Sequence, residues 1–306
     1  MPTSPQLDLA TLADNIESEA PGLQVQRPLT ALGDGFRSIV VRDASETVYR
    51  IGRTTSVAKG YRYEAALLPQ IRSFLPVDVP DPRIVSGPSE RFKGGIISYP
   101  CLRGRSIKRS DATAPGWEQL ASDMAEFLAA LHQISVAALT NLETRPSLTT
   151  QLEFVDARSS TTPVMKTHLT AREFDELERW WDRLLSDHWM QDFPATVIHQ
   201  DFWYENLLVD PDSHRLTGVL DWEHSRFGDP AIDLVPSDYL GSKFAREVVA
   251  AYEISIGGLD DHSDERLDYL RVLREFGGIR YSIDHNDQEE LIASINKVRN
   301  TGVLSG

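Results

Sequence analysis

At 306 residues, 41% of them hydrophobic, the chain is long enough for one large domain or two smaller ones and apolar enough to exclude disorder. Its net charge of -15 argues against nucleic acid and is compatible with a cationic substrate drawn in by long-range attraction. The lone Cys101 excludes an intrachain disulfide, no apolar run reaches the roughly 20 residues of a membrane span, and the first eight residues lack signal-peptide character, so a soluble, cytoplasmic protein with no membrane partner is expected.

In chain order, residues 7–20 have helical apolar spacing, ended by Pro21-Gly22. Residues 23–32 and 36–42 read as strands around Gly33-Asp34-Gly35, and residues 47–51 as a third strand after the turn at 43–46. Residues 59–74 predict a helix burying Ala65, Leu67, Leu68, Ile71 and Phe74. A proline-rich connection at 76–82 leads to strands at 83–85 and 95–99. Beyond Pro100 the pattern turns helical: 117–134, with Leu120, Met124, Phe127, Leu128 and Leu131 on one face, then 171–189, 243–253 and 265–283. Short strand-like runs fall between 196 and 221, with a hairpin turn at 210–213. The division expected is a strand-rich lobe over residues 1–99 and a helical lobe over 100–306, with a hinge at about 98–104.

The stretch His199-Gln200-Asp201-Phe202-Trp203-Tyr204-Glu205-Asn206, followed by Val219-Leu220-Asp221-Trp222, carries the chemistry. It sets His, Asp, Asn and a second Asp in the order and spacing of a kinase-type phosphoryl-transfer site. Asp201 is the group to orient, and take the proton of, an acceptor hydroxyl. Asn206 and Asp221 offer the oxygen ligands that Mg2+ prefers beneath a nucleoside triphosphate.

On these residues, and on Gly228-Asp229-Pro230-Ala231-Ile232-Asp233, the chain resembles the aminoglycoside phosphotransferase family, antibiotic kinases of the protein-kinase fold; the 2″-aminoglycoside and macrolide kinases are the members it is most like. The resemblance implies an α+β, two-lobed fold: an N-terminal antiparallel sheet with a helix, and a larger, mostly helical C-terminal lobe. It places Gly33 and Gly35 in a loop over the nucleotide phosphates, though two glycines between strands also make an ordinary tight turn. It puts Arg50 where protein kinases carry a lysine, paired with Glu64; Arg53 and Lys59 are rival sources of that charge. Ser98, Tyr99 and Cys101 fall at the purine-binding hinge, where a large aromatic brings GTP into consideration beside ATP. Asp233 resembles a buried carboxylate that braces the catalytic loop, and His199 is expected to be structural.

No long activation segment follows Asp221, which favours a small-molecule acceptor over a protein. The acceptor implied is the hydroxyl of a cationic aminoglycoside, with antibiotic resistance as the result. A macrolide, another antibiotic, a sugar or an amino alcohol is the alternative, and a pseudokinase that binds nucleotide without turnover is another. Glu205, Glu223, Asp229, Asp238, Glu275, Asp284 and Asp287 are the acidic candidates for the acceptor side, each also readable as part of a solvated face. Trp203, Tyr204 and Trp222 suit either a sugar ring or the core.

Overall fold

A computed structural model of the chain describes residues 8–35, 37–142, 151–191, 193 and 195–304. Leu7 and Phe36, at the edges of two expected elements, lie outside them. Helix α1 (Leu9–Glu19) opens on the Asp8 side chain, which accepts from the N–H groups of Ala10 and Thr11. Strands β1 (Thr30–Asp34), β2 (Ser38–Arg42) and β3 (Thr47–Gly52) follow, then α2 (Thr55–Ile71), β4 (Arg83–Ser86) and β5 (Ile96–Pro100).

These strands form one antiparallel sheet in the order β1-β2-β3-β5-β4. Its two faces separate by simple alternation. Val41, Tyr49, Ile51 and Ile96 face one way, into a core closed by Leu12, Ala13 and Ile16 of α1. Val48 and Tyr99 face the other way and join Val57 and Tyr61 of α2. Arg50 is two residues along from Val48, paired with Val40 and Ile97, so the pleat puts a guanidinium on the α2 side of the sheet.

The C-terminal part adds β6 (Arg105–Ser106), α3 (Trp117–His132), α4 (Gln151–His168), α5 (Ala171–Ser186), β7 (Thr196–Ile198), β8 (Leu207–Val209), β9 (Leu216–Val219), β10 (Arg226–Gly228), α6 (Ala231–Leu234), α7 (Ser242–Ile256), α8 (Ser263–His285) and α9 (Gln288–Asn300). Two small antiparallel sheets, β6-β8-β9 and β10-β7, hold the loops of the site. The buried face of α3, with Leu120, Met124, Phe127, Leu128 and Leu131, forms one core with α7 and β7–β9. A second core gathers Trp180 and Trp181 of α5 with Phe276 and Ile279 of α8 and Leu291 and Ile295 of α9. Among the described residues no helix is long and apolar enough to cross a membrane.

Four expectations need correction. The first strand covers 30–34 rather than 23–32, since the Arg27-Pro28 step lacks a ladder donor. The glycine turn is accordingly tighter, with Gly33 inside β1 and the Gly35 N–H donating to the Ser38 carbonyl at 3.0 Å. Phe74 is 65% exposed, not buried: α2 ends at Ile71 in a 3-10 turn, and the changed period swings Phe74 off the apolar face. Helices α4 and α9 have no counterpart in the expected elements. Ser159, Ser160, Thr161, Thr162 and Pro163 blur the period of α4, and α9 is marked chiefly by its Asp287 cap, which accepts from Glu290 N–H at 3.0 Å.

Candidate active site

The segment from β7 to β8 is held by one carboxylate. Asp233, buried at the start of the helical run after β10, accepts from the backbone N–H of His199 and of Gln200, each at 2.7 Å, and from His132 Nε2 at 3.2 Å. His132 Nδ1 in turn lies 2.8 Å from the Tyr252 hydroxyl, so both ring nitrogens are engaged. Gln200 has the positive φ of 69° that such a tight turn imposes. His199 is fully buried, edge-on to Trp222, and its Nε2 donates to the Leu220 carbonyl at 2.9 Å. It therefore couples the loop to the residue before Asp221.

Asp201 is half-buried. Asn206 Nδ2 donates to its Oδ2 at 3.1 Å and to its carbonyl at 3.0 Å. The Leu220 N–H donates to the Asn206 carbonyl at 2.8 Å. Asp201, Asn206 and Asp221 thus belong to one hydrogen-bonded frame.

Across from this frame stands Arg50, only 5% exposed. Its Nη1 donates to both oxygens of the buried Glu64, at 3.1 and 2.9 Å, and its Nη2 donates to Asp221 Oδ1 at 2.7 Å. Glu223 Oε2 lies 3.6 Å from the same Nη2, while Glu223 Oε1 accepts from Arg37 Nε at 2.6 Å. Burial opposes the charge on Arg50, but Glu64 and Asp221 hold it charged. Burial likewise opposes ionisation of Asp221, yet Arg50, His199 and His224 keep its carboxyl below the ordinary range. Glu64 is pushed up to about 7, first by burial and then by Asp221 and Glu223, against the pull of Arg50.

A cavity of about 410 Å³ lies between the sheet and the helical part. Gly33, Val48, Arg50, Tyr99, Asn206 and Asp221 border it, together with Cys101 and Leu102, which follow β5. The sequence-expected residues Gly33, Arg50, Tyr99, Cys101, Asn206 and Asp221 are therefore brought together. Gly35, Ser98 and Glu64 do not border the cavity: Ser98 pairs with Tyr49, on the opposite pleat from Tyr99, and Glu64 stands behind Arg50. The Cys101 N–H is engaged by the Glu46 carbonyl at 2.7 Å. Arg53 reaches the Gly35 carbonyl and Asp34, and Lys59 is exposed, so neither rival displaces Arg50.

The residues also fit a Mg2+ ion. Asp221 is an anionic oxygen donor at the cavity wall, and the amide nitrogen of Asn206, committed to Asp201, leaves its oxygen as the available acceptor. Among the described residues no three His, Cys, Asp or Glu side chains converge as a metal cage, which leaves two protein ligands to be completed by phosphate and water.

A second cavity, of about 480 Å³, opens beyond Gln200 and is walled by α4, α6 and α8. Asp201 follows Gln200 in the chain, with one cavity on the Gln200 side and the other on the Asn206 side. The acidic acceptor candidates do not line this space. Asp238 accepts from Arg271 at 2.8 Å, Glu275 is bonded by the Tyr239 hydroxyl, and Glu223 is buried beneath Arg37. Asp229 is buried against Arg266 at 3.1 Å, Asp287 caps α9, and Glu205 and Asp284 are exposed. Trp222 is fully buried, its Nε1 donating to the Val219 carbonyl, so it is a core aromatic, whereas Trp203 stays half-buried beside Tyr239. Sequence reasoning passed over Arg37, Gln200, Arg226 and Arg280; an arginine's partner in a distant element leaves no local pattern.

The model of the phosphotransferase enzyme family, APH, matches residues 28–267. The uncharacterized protein YcbJ of Bacillus subtilis (strain 168) is 27% identical over 226 residues, 68% of this chain and 68% of its own length. The solved GDP and kanamycin complex of APH(2")-IIia shares the fold with a TM-score of 0.80 at 20% identity, covering 95% of this chain and 97% of that one. Macrolide 2'-phosphotransferase type I does so with a TM-score of 0.71 at 21% identity, covering 97% and 99%. The fold is therefore the two-lobed kinase-like one, and the chain belongs to the phosphotransferase enzyme family, whose members pass a phosphoryl group to an alcohol.

Proposed function

We propose that the protein transfers the γ-phosphoryl group of ATP or GTP to a hydroxyl of a small molecule, with the nucleotide between an N-terminal lobe of residues 1–99 and a C-terminal lobe of residues 100–306. The observation that carries this reading is the single frame of Asp201, Asn206 and Asp221, with Asp221 bonded to Arg50 and with Asn206, Asp221 and Arg50 bordering one cavity.

In this reading Asp201 orients the acceptor hydroxyl and takes its proton as the oxygen becomes bonded to the γ-phosphorus and the bond from that phosphorus to the departing nucleoside diphosphate breaks. Asn206 fixes the Asp201 carboxylate and, with Asp221, would hold Mg2+. Bound there, the ion would neutralise phosphate charge. Arg50 supplies a fixed cation for the phosphates, positioned by Glu64, and Gly33 allows backbone approach to them. Tyr99 and the hinge receive the base.

A small acceptor suits the short path from Asp221 to Asp233, only twelve residues on, which leaves no room for a peptide-binding activation segment. A polycationic aminoglycoside calls for uncompensated carboxylates at the acceptor side, whereas Asp238 and Glu275 are engaged and the nearby cavity is largely apolar; this favours a less cationic acceptor, as in the macrolide alternative.

The test is nucleoside diphosphate release with Mg2+ and ATP or GTP across aminoglycosides, macrolides and simple hydroxy compounds, in wild type and Asp201→Asn. Acceptor-stimulated release lowered about 10²–10⁴-fold in the variant, with nucleotide binding retained, is expected. Nucleotide binding without release for any acceptor would favour the pseudokinase.

A further inference from the structure

Resting on the kinase reading above, we propose that the acceptor is a hydroxy compound with an apolar body and a carboxylate, and that Arg274 is the residue that recognises the carboxylate. The cavity beyond Gln200 supplies the argument. Phe154, Ile232, Val235, Leu270, Leu273 and Phe276 give it an apolar wall large enough for a molecule of drug-like size.

Its charged residues are Glu153, Asp156, Arg226, Arg274 and Arg280. Two of the arginines are matched. Arg226 donates to Gln200 Oε1 at 2.8 Å and lies 3.4 Å from Glu153, and Arg280 lies 2.6 Å from Asp156. Arg274 is paired with no carboxylate among the described residues. Its guanidinium instead lies over the rings of Trp203, at 4.9 Å, and Tyr239, at 5.2 Å, and hydrogen-bonds the Tyr239 hydroxyl. Its chain neighbour Glu275 is committed elsewhere, to the Tyr239 hydroxyl and to Lys297 at 3.9 Å.

Among the described residues, the cavity therefore carries one positive charge with no carboxylate paired directly to it, on a fork held by aromatic faces. Beyond the donor on Tyr239, a stacked guanidinium keeps further N–H groups at its edge, and two of them match a carboxylate with parallel hydrogen bonds. A single free cation balances a monoanion rather than a phosphate dianion, and it repels the ammonium groups of a polycation. Trp203 lies two residues beyond Asp201, so the anion-recognising end sits beside the loop that would orient the hydroxyl.

The experiment is calorimetric titration of the whole protein with ω-hydroxy fatty acids of about six to twelve carbons, and with their methyl esters, in the presence of Mg2+ and a non-hydrolysable ATP or GTP analogue. At least one acid is expected to bind at least tenfold more tightly than its ester. Arg274→Met should erase that preference, Arg274→Lys should keep part of it, and Arg271→Met, which removes a cation already paired with Asp238, should leave it intact. Acids that bind no better than their esters, or a preference that survives Arg274→Met, would overturn the assignment while analogue binding leaves the kinase reading standing. Failure of the wild type to bind either analogue would overturn the kinase reading, and this one with it.

Discussion

Arg50 of β3 and Asp221, 171 residues later in the chain, meet at 2.7 Å, and the same guanidinium takes both oxygens of Glu64 through its other terminal nitrogen. One buried cation thus joins the sheet, α2 and the loop after β9. Glu64 is fully buried and Asp221 partly so, and removing the cation takes the shared partner from both at once. Arg50→Met is expected to lower unfolding stability by about 3–5 kcal/mol, the range for breaking a buried ion pair by deleting one partner. Arg50→Met/Glu64→Leu should recover a good part of it, because the fully buried carboxylate is then gone too. Urea denaturation of the three proteins checks this, and equal losses in the single and double variants would disprove the shared-cation account.

Glu64 gives a pH dependence with a definite sign. Its carboxyl ionises near 7 in the folded chain and near 4.5 in the ordinary state. Between those values the folded protein holds a proton that the unfolded chain has released. The stabilisation linked to that proton is full below about 4.5 and is lost as pH rises through 7. The unfolding free energy of wild type minus that of Glu64→Gln should therefore fall from pH 5 to pH 7.5 and level off above. A difference that rises over this window would contradict the buried, crowded setting of Glu64.

Asp233 is the bracket of the loop that carries Asp201, with its two oxygens on two successive N–H groups. Asn has only one acceptor oxygen, and its amide would present hydrogens to the second N–H. Asp233→Asn is expected to destabilise the fold by about 1–3 kcal/mol, the penalty of a buried unsatisfied donor. It should also lower kcat at least tenfold while leaving nucleotide affinity close to wild type, since the cavity that would hold the nucleotide is walled by other residues. Kinetics with a saturating nucleotide, together with nucleotide titration, separates the two effects.

What could be read in the sequence was local. Asp201, Asn206 and Asp221 belong to short runs whose spacing fixes their relation, and the pleat of β3 alone determines which way Arg50 points. The α3 face was legible because five apolar residues keep a helical period through it. Long-range pairing left no such mark. Arg37 meets Glu223 across 186 residues, and Arg280 meets Asp156 across 124, so neither could be told from a solvated surface charge. For the same reason Asp238 and Glu275 read as free acids although Arg271 and Tyr239 engage them. Trp222 and Trp203 look alike in the sequence, and only packing separates the buried ring from the half-open one.

At Gly60, α2 approaches the 3-10 turn Trp222–His224 closely. A Cβ at residue 60 would stand 2.9 Å from the Glu223 Cβ, closer than side chains tolerate, and a tight 3.3 Å from its carbonyl oxygen, and neither atom is at the end of a flexible chain. The Arg37–Glu223 and Arg50–Asp221 bonds run along the same seam. Gly60→Ala must therefore push α2 away from the turn, lengthening the bonds that set the cation opposite the Asp221 carboxylate. A loss of about 1–3 kcal/mol is expected from overpacking. Nucleotide affinity should fall with it, because Arg50 and Asp221 border the same cavity. Gly60→Ala paired with Glu223→Ala keeps the backbone contact and the second Cβ, so the double variant should recover neither quantity. Full recovery there would mean that the Glu223 carboxylate, rather than the close approach of the two elements, is what the extra methyl disturbs.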